Sequence, residues 1–309
     1  MPQQASYTTG WISQEANMPP AERFISADIR TFPVPSTSEE MYLDLLKRTL
    51  TRAITAKATE RQTITARLPG KRHLLYAMQS LLARLNMELV RNIRCTPDDY
   101  AESGHAASNR AEDAETMLGT RQLDQMQAAI TDVVRQDVPG DLLEAGVWRG
   151  GMTIFMRGVL KALNENMRSV WVVDSFEGLP TISEHEKSAS WWRGGDMAIP
   201  IDKVRDNFAR FNLLDDRVRF LKGYFSDSLP SAPIRQLAVL RLDADLYEST
   251  RDVLTHLYPK LSPGGYCIVD DYRNLGDCQR AVDEYRQLHN VTDPIEFIDT
   301  RAVYWKKER

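Results

Sequence analysis

The chain has 309 residues, 42% of them hydrophobic, and a net charge of −4. That length holds one large α/β domain with an accessory segment, and the mildly acidic balance offers no basic surface for nucleic acid. Its three cysteines, Cys95, Cys267 and Cys278, are odd in number and unevenly spaced, which argues against a disulfide framework or a zinc site. No leader or bilayer-length apolar run stands out, so the expectation is a cytoplasmic protein without a membrane partner.

Residues 1–36 carry scattered Pro, Ser, Gln and Thr and read as an irregular arm, with Tyr7, Trp11 and Phe24 available to lie across the domain or a partner subunit. Ser38-Glu39-Glu40 opens a helix whose apolar face is expected to hold Tyr42, Leu45, Leu46, Leu50 and Ile54. A second helix is expected from Lys71 to Ile93, with Leu74, Leu75, Met78, Leu81, Leu82, Leu85, Leu89 and Ile93 at helical spacing. Its bland reading is a packing or homo-oligomer helix, dimeric or higher. A polar loop at 102–110 leads to a third helix expected from Ala114 to Gln136. The division is an arm and helical accessory segment, 1–111, followed by the main domain, 112–309.

From Leu142 the elements alternate. Strands are expected at Leu142–Val147, Val170–Asp174, Val218–Lys222, Leu237–Asp243 and around Tyr266–Val269, with helices between them. Only Asp299-Thr300-Arg301 separates the last two apolar runs, 295–298 and 302–305, so these form an antiparallel hairpin. A mostly parallel seven-stranded sheet closed by a reversed C-terminal strand resembles the Rossmann-like layout of class I methyltransferases.

The first of these strands runs into Glu144-Ala145-Gly146-Val147-Trp148-Arg149-Gly150-Gly151. Glycines here permit a tight turn against a ligand at a helix N-terminus. A dinucleotide site would place glycine where Glu144 stands; an acid there repels pyrophosphate and suits the cationic amino-acid end of S-adenosylmethionine. Asp174 ends the next strand, where a carboxylate accepts from ribose hydroxyls. Gly223-Tyr224-Phe225-Ser226 follows the third strand and is placed to border an adenine, or to serve the core. Two further strand ends are acidic: Arg241-Leu242-Asp243-Ala244-Asp245 and Val269-Asp270-Asp271-Tyr272. Carboxylates this close need a cation, raised pKa values or separate partners. Turn pairs and helix caps are the plain alternatives.

These segments, with Asp174-Ser-Phe-Glu-Gly-Leu-Pro180, Leu213-Leu-Asp-Asp216, Tyr42-Leu-Asp-Leu-Leu-Lys47, Thr116-Met-Leu-Gly119 and Tyr304-Trp305, resemble the macrocin O-methyltransferase family over roughly 38–52 and 112–307. The resemblance implies transfer of a methyl group from S-adenosylmethionine, with Mg²⁺, to a sugar or aromatic hydroxyl of a small natural product. It implies Asp243, Asp270 and Asp271 as metal ligands, Asp245 as general base with Asp243 beside it, and a donor pocket bordered by Met117, Glu144, Gly146, Asp174, Ser175, Gly223, Tyr224, Phe225 and Asp243. Segment 53–111 and Arg273 depart from the family pattern, so the acceptor is not carried over. If the chain stays extended past Asp243, Asp245 projects to the same side. The excursion at 181–200, with Trp191, Trp192, Gly194 and Gly195, reads as a lid over the acceptor or as an anchored loop. The rivals are a nicotinamide oxidoreductase, opposed by Glu144 and the acid cluster, and a non-catalytic scaffold, which would need neither metal nor base.

Overall fold

The computed structural model describes residues 35–308, apart from 56–58, 64–77, 79–80, 83, 86, 88–89, 95–113, 184–185 and 187–191. The arm at 1–34, most of the expected second helix and Trp191 therefore lie outside the described residues.

Seven strands form one sheet: β3 (Asp141–Ala145), β4 (Val170–Asp174), β5 (Val218–Lys222), β6 (Leu237–Leu242), β7 (Leu261–Val269), β8 (Glu296–Phe297) and β9 (Val303–Lys306). Their order is β5-β4-β3-β6-β7-β9-β8, and the first five are parallel while β9 runs antiparallel to both neighbours. The expected sheet, including its reversed hairpin, is what forms. Burial explains the strand composition: every residue of Leu237–Leu242 is buried, because helices cover both faces. Chain order reverses between β3 and β6, and in such sheets ligands bind at the carboxyl ends beside that reversal.

Two apolar clusters lie on the two faces. One contains Leu142, Ile154, Phe155 and Phe208, and the other Leu240, Leu254, Val282 and Trp305. The first also takes in α1 (Ser38–Leu50), whose capping box joins Thr37 and Glu40. The buried stripe of α1 is Leu43, Leu46 and Leu50, whereas Tyr42, Leu45 and Ile54 are exposed. The sequence reading rotated that helix, because apolar residues occur on both flanks of the stripe and only contact with α3 (Gly151–Ala162) chooses between them.

Two other expectations change. The segment after Leu82 turns, and Val90–Arg94 is β2, paired antiparallel with β1 at Thr59–Thr63. Residues 90–93 therefore leave the expected helix; β-branched Val90 and Ile93 favour a strand once a partner exists. The third helix, α2, begins only at Thr120 and runs to Arg135, with Gly119 as its N-cap. Residues 114–119 stay out of the helix, and Glu115 O accepts the N–H of Gly151, holding this stretch against the Gly-rich turn. The remaining helices are α4 (Ile201–Arg210), α5 (Phe225–Ser228), α6 (Tyr247–Leu257) and α7 (Gly276–Leu288).

The α1–α3 contact depends on Gly158, where an added Cβ would meet Leu46 Cδ2 at 2.4 Å. Alanine is about 1 kcal/mol better than glycine inside a helix, but overpacking costs roughly 1–3 kcal/mol. Gly158→Ala is expected to destabilise the wild-type chain and to become neutral or stabilising in a Leu46→Ala background. Urea unfolding of the four chains checks this sign reversal; additive effects would contradict the contact.

Candidate active site

Four strand ends meet in step. Gly146 N donates to Val173 O, Asp243 N to Ala145 O, and Asp270 N to Leu242 O, at 2.8–2.9 Å. This apposition requires glycine at 146: its φ is +88° and a Cβ would stand 1.8 Å from Asp243 O. The turn continues through Trp148 at φ 48° and Gly150 at φ 84° into α3.

At the centre lies Arg241, wholly buried in β6. One terminal nitrogen donates to Glu144 Oε1 at 2.6 Å and Asp243 Oδ2 at 2.9 Å; the other donates to Asp270 Oδ1 at 2.6 Å and Gln122 Oε1 at 3.1 Å. A buried charge survives only when paired and hydrogen-bonded, and Arg241 meets both conditions. Burial works against its charge, but Asp243, Asp270 and Glu144 outweigh that and raise its pKa. Within its motif, Arg241 carries no role that residue spacing alone assigns. The available signal was a single cation in an otherwise apolar buried strand.

The carboxyls respond to the same environment. Burial pushes Glu144 up to about 8 and Asp270 to about 6, the latter aided by Asp243. Burial, then Asp271 and Asp243, raises Asp245 well above the usual carboxylate range. Asp243, also raised by burial, is pulled back by Arg241.

Asp243, Asp245 and Asp271 each offer an oxygen within 4.8 Å of the other two. Asp270 faces Arg241 instead, so the structure regroups the acids that the sequence placed together. Asp245 does not continue an extended strand: its φ is 58°, a left-handed turn that is strained for a residue other than glycine. The turn, and not strand alternation, brings it back to Asp243. Immediately after it, Glu186 caps α6 by accepting from Tyr247 N at 2.9 Å and Glu248 N at 3.2 Å. Sequence reading missed Glu186, which sits 61 residues before Tyr247. Trp192 packs against the apolar cluster beneath β6 and β7.

The expected donor-pocket residues line the neighbouring strand ends. Asp174 Oδ2 accepts from Val147 N and Oδ1 from Phe176 N, both at 2.8 Å. Ser175 is spent on its own turn, donating to Gly178 O at 2.7 Å. Met117 is partly exposed in the segment before α2. Gly223, at φ 143°, and Tyr224 lead into the single-turn helix α5 that Phe225 begins. Glu144 Oε2 is buried and makes no hydrogen bond.

A parallel sheet with a reversed terminal hairpin, a glycine turn and acids at the adjoining strand ends defines a class I methyltransferase. The macrocin-O-methyltransferase family model matches residues 39–307, and the chain belongs to that family. It is 42% identical over 282 residues to the mycinamicin III 3''-O-methyltransferase of Micromonospora griseorubida, covering 88% of this chain and 98% of that protein. It is 49% identical over 198 residues to a Streptomyces olivaceus 4'-O-methyltransferase of 8-demethyl-8-(2,3-dimethoxy-alpha-L-rhamnosyl)-tetracenomycin-C, covering 62% and 76%. The solved structure of the O-methyltransferase NovP superposes with a TM-score of 0.72 at 38% identity, covering 88% of this chain and 100% of that one. The chain is an S-adenosylmethionine-dependent O-methyltransferase.

Loss of Arg241 leaves Glu144 and Asp270 buried without their cation, at a cost of about 3–5 kcal/mol. Glu144, already raised from its ordinary 4.5 to about 8, binds more protons folded than unfolded between those values, so its contribution to stability falls as pH rises. Arg241→Gln widens that window. Its deficit against wild type, from urea unfolding in chelator, is expected to be largest at pH 8 and to shrink towards pH 6.

Proposed function

We propose that the enzyme methylates a sugar hydroxyl of a secondary metabolite, with a divalent cation at the acid cluster and Asp245 as general base. The convergence of Asp243, Asp245 and Asp271 beside the Gly146 turn carries this reading. One of the two similar methyltransferases is named for mycinamicin III and the other for a rhamnosyl tetracenomycin-C compound.

The residues present suit the donor. Glu144 Oε2, an orphaned buried acceptor, matches the ammonium of the donor's amino-acid end. Asp174, with lone pairs left beyond its two backbone bonds, would accept from the ribose hydroxyls; Tyr224 and Phe225 would border the adenine, and Met117 would line the pocket. Ser175 supports this pocket by fixing the turn after Asp174.

They also suit a hard divalent cation. Five carboxylates, Glu144, Asp243, Asp245, Asp270 and Asp271, are grouped with two guanidiniums, Arg241 and Arg301. Asp243 and Asp271 would hold Mg²⁺, and Asp270 could join only through the oxygen that Arg241 leaves. Bound there, the cation would supply Lewis acidity and a template for neighbouring hydroxyls.

The chain's own part is alignment and proton transfer. The turn at Gly146 sets the donor pocket against the end of β6, so the two reactants meet with little freedom to lose. An alkyl hydroxyl must give up its proton as its oxygen bonds to the methyl carbon and the carbon–sulfur bond breaks, its electron pair leaving with S-adenosylhomocysteine. Asp245 accepts that proton at a carboxylate oxygen.

With mycinamicin III as acceptor, Asp243→Asn is expected to abolish turnover while S-adenosylhomocysteine affinity is nearly kept. Asp245→Asn should lower kcat by about 10²–10⁴ with divalent-ion affinity retained. Chelation should silence the wild type, and Mg²⁺ should restore it. Activity that survives exhaustive chelation would remove the cation, and wild-type kcat in Asp245→Asn would remove the base.

A further inference from the structure

The turn of the C-terminal hairpin lies on the acid cluster, and none of the chemistry above uses it. Asp299 is buried there and Arg301 is 18% exposed at its side chain. Asp299 Oδ1 accepts the backbone N–H groups of Arg301 and Ala302, both at 2.8 Å. Its Oδ2 accepts from Gln122 Nε2 at 3.1 Å, and Gln122 Oε1 in turn accepts from Arg241. Arg301 O accepts from Arg273 N at 3.0 Å. Both backbone groups of Arg301 are therefore fixed, and its guanidinium donates to Asp271 Oδ1. Asn274 Nδ2 reaches the same oxygen at 3.4 Å.

We infer that Arg301, fixed in place by Asp299, is a positioning residue for Asp271 in methyl transfer; this rests on the acid cluster being the reaction site. Holding Oδ1 fixes the direction of the Asp271 carboxylate, one oxygen of which lies within 4.8 Å of an oxygen of Asp243 and of Asp245. Three carboxylates within 4.8 Å repel one another, and a group on a turn gives way more readily than one at a strand end. The guanidinium supplies both the opposing charge and the fixed direction. Lysine could supply the charge, but it lacks the planar fork. The Gln122–Asp299 link ties this second cation to Arg241, so the acids are gripped from β6 and from the hairpin by one connected set of hydrogen bonds. Asp271 then depends on a turn 28 residues further along the chain at Asp299, a coupling that strand pairing alone does not supply.

The test compares wild type, Arg301→Gln, Arg301→Lys and Asp299→Asn by methyl transfer to mycinamicin III, S-adenosylhomocysteine titration, thermal unfolding and crystal structures of wild type and Arg301→Gln. Arg301→Gln should lower kcat roughly 10–100-fold, the usual scale for an outer-shell partner, with KM for S-adenosylmethionine and S-adenosylhomocysteine affinity unchanged. Lysine should recover part of that loss, and Asp299→Asn should show a smaller loss in the same direction. In the Arg301→Gln crystal structure, Asp271 should have swung out of the three-oxygen cluster. Wild-type kcat in Arg301→Gln, or a loss of donor affinity and Tm in proportion to kcat, would overturn the inference. If the wild type methylates neither mycinamicin III nor the rhamnosyl tetracenomycin acceptor, the substrate reading fails instead. The crystal structure then decides, and an unmoved Asp271 overturns the positioning role.

Discussion

A wholly buried guanidinium holds the site together. Arg241 stands in the middle of an apolar strand, and the desolvation of its charge is offset only because β3, α2 and β7 each bring an acceptor to it. The dependence runs both ways. Glu144 and Asp270 are buried at the ends of the two strands that flank β6 and stay there because Arg241 lies between them. Parallel strands in register place those groups within reach, so fold and electrostatics support the same arrangement.

Around that centre, the chemistry is placed by backbone devices. Gly146 lets the end of β3 approach Asp243 closely enough for the two strand ends to act as one wall. Asp245 adopts a left-handed turn and so returns to the acids it would otherwise leave. Glu186 then caps α6 directly after that turn, which fixes the point where strand becomes helix. Strain at Asp245 is tolerated because the cap on one side and the sheet on the other determine its position.

Much of this was legible in the residues. Alternating apolar runs marked the parallel strands, the three-residue separation near the end forced the hairpin, and Glu144 before the glycine turn argued against a dinucleotide. Period and turn chemistry are local, so they survive in a linear reading. Helix faces and partners were less secure. α1 has apolar residues on both sides of its stripe, and which side is buried depends on Gly158 across the contact. Val90–Arg94 looked helical because its partner strand, Thr59–Thr63, carries no apolar signal of its own.

The sequence by itself determined the sheet, its reversed C-terminal strand, the placing of acids at two strand ends and the family to which those motifs belong. Tertiary structure alone decided how the acids are shared out. Asp270 and Asp243 each give an oxygen to Arg241 and Asp271 gives one to Arg301, while Asp243, Asp245 and Asp271 converge on one another. Adjacent aspartates look alike in sequence, since residue type and spacing carry no record of which oxygen a distant cation claims. That choice is made by Gln122 and by Asp299 and Arg301 of the C-terminal hairpin, which meet only once the sheet has closed around Arg241.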